Sequence, residues 1–193
     1  VSYAIARRLR IRHAWLVIPL IYIQPLFTHL SLTTLTETIL AFYFALATWF
    51  LLTDRTLASA AIIALAPLTR HEAIVVLPIW ALMLWHNRVQ WYGYLLLSWA
   101  LFVHNTFAFV YLDYWPIYIF FEPNGAAHYG HGTAFTFVPK LICSAGPIVT
   151  AFAVLGAWQI RKHRYAWLIM SGAALYFLAE TAVYMRGSYS SGG

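Results

Sequence analysis

The sequence predicts an all-α fold: a polytopic transmembrane bundle of about seven hydrophobic helices, with one aromatic loop lying at the outer interface. Three observations predict it. Of the 193 residues, 62% are hydrophobic and only 9% charged, against about 25% charged in soluble domains. The apolar residues gather in runs near the length a bilayer demands. The cations sit in short clusters between those runs, as topology determinants do. Residues 1–193 are read as a single transmembrane domain.

The runs fall at 14–30, 37–52, 56–69, 73–85, 89–111, 137–160 and 165–185. A spanning helix needs roughly 20 apolar residues, with a lower limit near 17. The first, fifth, sixth and seventh runs reach that length. The second is extended into the interface by Thr34 to Glu37. The third and fourth are too short to cross unaided, and they flank Thr69-Arg70-His71-Glu72. They are either two tilted crossings meeting at a polar apex or one long helix with charges mid-membrane. The segment 112–136 is too broken by Pro116 and Pro123 to span, and it reads as the interfacial loop. Pro19, Pro25, Pro67, Pro78 and Pro147 are expected to kink their helices.

Charge counting separates the two options for 56–85. If every run crosses and the N-terminal cluster is inside, nine cations are inside: Arg7, Arg8, Arg10, Arg12, Arg55, Arg88, Arg161, Lys162 and Arg164. Three are outside: Arg70, Lys140 and Arg186. A single crossing over 56–85 gives seven inside against four outside and strands Arg70 in lipid. Lys and Arg favour the cytoplasmic loops, so two crossings are expected. The expected localisation is therefore a multi-pass integral membrane protein, its N-terminal basic cluster cytoplasmic and its polar motif loops outside. Glu37, Glu72, Asp113, Glu122, His29, His71, His128 and His131 sort outward, with Glu180 in the outer part of the last helix. Asp54 alone sorts inward.

Several partner classes are excluded or unsupported. The net charge of +6 lies between apolar runs rather than in a basic stripe interleaved with exposed aromatics, so nucleic acid is not expected. The lone Cys143 forbids an intramolecular disulfide. No nucleotide-binding loop, Ser-His-Asp order or zinc-protease signature is present. The chain opens at Val1 without a signal peptide and stops at Gly193, and it reads as an internal piece of a longer protein.

Two stretches can carry chemistry. Arg70 stands where two short helices meet, and its planar fork can hold a phosphate. Glu72 can orient that Arg or accept a proton. The alternative is an ordinary interfacial turn with a local Arg–Glu pair. In His128-Tyr129-Gly130-His131-Gly132-Thr133, two imidazoles flank a glycine on an exposed loop. They can bind a metal or an anionic head group, or simply sit solvated on a turn. No third ligand is in sequence, so neither a metal nor another cofactor is expected. Lys140 either snorkels to the interface or contacts a phosphate. His104-Asn105 suits a helix–helix hydrogen bond.

These segments resemble the polytopic glycosyltransferases of the GT-C superfamily, the group that includes protein O-mannosyltransferases and lipid A aminoarabinose transferases. Tyr3-Ala4-Ile5-Ala6-Arg7-Arg8-Leu9, the helix to Pro25 and Thr34-Leu35-Thr36-Glu37 are similar to the stretch after that family's second helix. Leu65-Ala66-Pro67-Leu68-Thr69-Arg70-His71-Glu72-Ala73 resembles its LxxLTRPEG turn, with His71 and Ala73 replacing Pro and Gly. Tyr129 and Gly130, with Lys140 ten residues after the glycine, resemble its YGxxxPNTxxxK loop, with Ala134 and Phe135 in place of Pro and Asn.

The resemblance implies transfer of a sugar from a polyprenyl-phosphate donor in the membrane, on its outer face, by inverting displacement at the anomeric carbon. It implies Arg70 and Lys140 as donor-phosphate contacts, with Arg186, His128 and His131 as further ones. Glu37 and Glu72 are then supporting carboxylates. By resemblance the catalytic acid lies in an outer loop upstream of Val1, and a C-terminal part follows Gly193. Two other classes compete: a non-catalytic membrane subunit of a larger complex, and a secondary transporter, whose broken helices carry charges near the midplane.

Overall fold

The computed structural model describes residues 1–24, 36–116, 135, 139 and 146–185. Among them every regular element is helical. α1 (Ser2–Arg8) and a short 3₁₀ turn lead into α2 (Val17–Ile23). α3 (Thr36–Leu52) and α4 (Thr56–Ile63) form a hairpin, continued by α5 (Ala66–Thr69) and a 3₁₀ turn, His71–Val76. α6 (Leu77–His86), α7 (Tyr92–Leu112), α8 (Pro147–Ile160) and α9 (Ala166–Met185) complete the described chain.

Prolines account for the short pieces. The ring of Pro67 clashes with the carbonyl four residues back, and α4 stops at that residue, Ile63. Pro78 does the same to Ile74, and the backbone before it tightens to 3₁₀. Pro147 departs from the kink expected of it: it stands in the first turn of α8, where its missing N–H costs nothing. Pro25 lies outside the described residues.

One helix among the described residues, α7 with 21 residues, is long and apolar enough to cross a membrane. The other apolar helical stretches among the described residues measure 10–17 residues, so one crossing helix stands where seven are expected.

Three helices end in the same device. α1, α3 and α6 each close with a left-handed residue: Arg10 (φ 57°), Asp54 (φ 61°) and Arg88 (φ 53°). In each, two backbone bonds seal the last turn. At α3, Asp54 N donates to Leu51 O at 3.1 Å and Arg55 N to Phe50 O at 2.8 Å. Ile11 N reaches Ala6 O and Val89 N reaches Leu84 O in the same way, both at 3.0 Å. This pattern usually takes glycine. Here charged residues fill it, and the neighbouring cations offset the negative helix ends.

The core lies between α3, α4, α6 and α9. Leu51, Ile63, Val76, Met83, Leu84 and Leu168 are fully enclosed. Ala47, Ala60, Ala64, Ala66 and Ala73 let the backbones approach closely. A buried polar relay crosses this core: the Trp80 indole donates to Ser59 Oγ at 2.9 Å, and Ser59 donates to Ala47 O at 2.7 Å. It joins three helices and leaves no orphaned group on the indole.

Around this core the surface is apolar. α7 buries Leu97, Ala100, Asn105 and Ala108 and exposes Phe102 (72%) and Val110 (65%). α8 buries nothing and exposes Ile148, Phe152, Val154 and Trp158. Patches of this extent are rare on proteins surrounded by water.

Candidate functional site

Polar groups gather at two places, at opposite ends of α3. At its first turn, Glu37 Oε1 accepts from Arg70 Nη1 at 2.6 Å. Glu72 Oε2 lies 3.6 Å from Arg70 Nε. Arg70 is only 8% exposed, so this is a largely desolvated carboxylate–guanidinium–carboxylate cluster. The backbone creates it. Thr69 Oγ1 donates to Ala66 O at 2.7 Å as α5 ends, and Arg70 is extended (φ −145°, ψ 126°) between α5 and the 3₁₀ turn. That single extended residue swings the guanidinium to the start of α3. Glu37 Oε2 and Thr38 Oγ1 are buried there with no hydrogen-bond partner among the described residues.

Beside the cluster, His71, Pro67, Leu101, His104 and Pro116 line a small groove of about 40 Å³ between α5 and α7. Asn105 Nδ2 donates to Leu101 O of its own helix at 2.8 Å.

The second place joins connectors far apart in sequence. Arg8 Nε donates to Leu52 O at 2.9 Å, and Arg8 Nη2 lies 4.0 Å from Asp54. The same Asp54 lies 3.7 Å from Arg164 Nη1. Arg164 Nη2 and the Tyr165 hydroxyl both donate to Asn87 Oδ1. Burial pushes the Tyr165 phenol above its ordinary range; the Arg164 charge opposes the shift and the Asp54 charge adds to it. Arg161 stacks over the Trp158 ring at 3.8 Å.

Of the residues the sequence singles out, Arg70, Glu37 and Glu72 come together. Lys140, Arg186, His128, His131, Tyr129 and Gly130 lie outside the described residues. No group of three or more His, Cys, Asp or Glu suited to a metal occurs among the described residues. Sequence reasoning missed the Asp54 junction, although one inward carboxylate among nine cations was its visible signal. Comparison with protein-family models, curated proteins and solved structures finds no match for this chain. The resemblance to the GT-C glycosyltransferases therefore stands on its motif residues.

Proposed function

We propose that the chain is a multi-pass membrane protein, the membrane-embedded part of a glycosyltransferase that takes its sugar from a polyprenyl-phosphate donor. Its chemistry would occur at the Glu37–Arg70–Glu72 end. That cluster is the observation that carries the reading. A desolvated ionic cluster stabilises a fold less well than apolar side chains of the same volume. Ionisable groups kept within an apolar bundle therefore point to function.

Multi-pass insertion is supported by the apolar outer surfaces of α7 and α8. It is also supported by the junction of Arg8, Asp54, Asn87 and Arg164, since connectors after alternate runs meet at one end. That agrees with basic loops on the cytoplasmic side and with two crossings over 56–85.

In this reading Arg70 exchanges its bond to Glu37 for one to a donor phosphate oxygen, while Glu72 keeps the guanidinium oriented. Lys140 supplies the second cation, and Arg186, His128 and His131 are further candidate contacts to the donor phosphate. The acceptor oxygen bonds to the anomeric carbon as the bond from that carbon to the lipid phosphate breaks. The phosphate leaves with the electron pair, and the acceptor's proton passes to a carboxylate base.

In the full-length protein, Arg70→Ala and Lys140→Ala are each expected to lower turnover of a polyprenyl-phosphate sugar by about 100-fold. Unchanged turnover in both well-folded variants sinks the reading. One observation favours a second reading, a non-catalytic membrane subunit: Arg70 already faces two carboxylates. Under that reading Arg70→Ala lowers assembly or stability and no transfer activity is found.

A further inference from the structure

We infer that the basic end carries a seat for one anionic phospholipid, in the aromatic groove between α6 and the start of α9. The inference rests on the membrane reading above and adds a ligand at the end away from the proposed chemistry. Leu82, Trp85, His86 and Trp167 line an open, shallow groove of about 430 Å³. Leu82 and His86 are one helical turn apart on a single face, so the groove runs along the helix as an acyl chain does. Its walls are exposed rings: Trp85 is 72% and Trp167 40% exposed. The His86 and Trp167 rings meet edge to face at 6.4 Å.

One cation is held beside the groove. Asn87, next to His86, accepts from Arg164, which lies three residues before Trp167. Arg88 and Lys162 are exposed nearby in sequence. Asp54 faces both Arg8 and Arg164. Arg7, Arg10, Arg12, Arg55, Arg88, Arg161 and Lys162 are also exposed, and no ion pair to a carboxylate is found for them among the described residues. An apolar trough beside Arg164, on connectors where exposed cations outnumber carboxylates, fits a lipid with a net negative head group. A soluble anion has no use for the indole walls, and a zwitterionic lipid leaves the charge excess unmatched.

The test reconstitutes the full chain into nanodiscs of phosphatidylcholine, with and without phosphatidylglycerol. Lipid retained on the released protein is read by native mass spectrometry, alongside the melting midpoint. Phosphatidylglycerol is expected to be retained preferentially and to raise the midpoint. The pair Arg88→Asn with Lys162→Gln, and separately Trp85→Ala, should each cut that retention about threefold or more while helical content is unchanged. Asparagine suits the left-handed backbone at position 88, and Trp85 is already mostly exposed, so neither change should unfold the chain. Equal retention of both lipids, or retention unaffected by the variants, overturns the inference. So does an equal rise in midpoint when glycerol phosphate is added to phosphatidylcholine discs, which marks a soluble-anion site. Failure to enter either disc overturns the membrane reading itself, and the lipid seat with it.

Discussion

Arg70 and Asp54 show how differently two charged residues can be used in one chain. Arg70 is nearly enclosed and draws carboxylates from 33 residues upstream and two residues downstream. Asp54 is well exposed and serves as a shared counter-charge, so each of its contacts contributes little alone. Tyr165 borders the Asp54 junction and yields a prediction at this scale. Its phenol is raised in the folded state, chiefly by burial. Stability linked to it is therefore fully present below the unfolded value, about pH 10. It is lost as pH rises through the higher folded value. Tyr165→Phe is expected to flatten the fall of the melting midpoint between pH 9 and 11. It should also lower stability by about 1 kcal/mol at neutral pH, through loss of the bond to Asn87. An alkaline slope identical in both proteins would remove Tyr165 from the account.

The elements are set by punctuation more than by apolar content. Runs that look continuous in hydropathy are cut by Pro67 and Pro78, because each ring blocks the carbonyl four residues earlier. The helix ends at the basic end carry their own cost, since Arg10, Asp54 and Arg88 adopt a backbone that disfavours side chains with a Cβ. Arg10 has no ion-pair partner among the described residues, so Arg10→Gly is expected to stabilise the fold by about 1 kcal/mol. A midpoint that drops instead would show that the Arg10 charge outweighs the backbone strain. At Gly93, by contrast, an added Cβ would lie 2.5 Å from Val89 Cγ1 and 3.1 Å from Leu57 Cδ2. The start of α7 is closely packed there.

Among the described residues, charge clusters lie at the two ends of α3, with exposed apolar surface around the helices. With Cys143 replaced by Ser, Asn124→Cys in intact cells or oriented vesicles is expected to react with an impermeant maleimide from the outer side only. Labelling solely from the cytoplasmic side would invert the proposed orientation. The clustering of the cations was legible from the sequence because their places between apolar runs need no knowledge of packing. Helix boundaries were less legible, because a hydropathy run counts side chains while a helix needs unbroken backbone hydrogen bonds. Of the candidate site, Arg70 and Glu72 stood out because charge is rare in this chain.

The helical class, the apolar character and the clustering of cations were determined by the sequence alone, since composition and local chain chemistry suffice for them. Only the tertiary structure decided that Glu37 meets Arg70, that Asp54 joins Arg8 to Arg164, and that Trp80 reaches Ala47 through Ser59. Such pairs lie on different helices or connectors, so their meeting depends on how the helices cross, and no local window of sequence contains that angle.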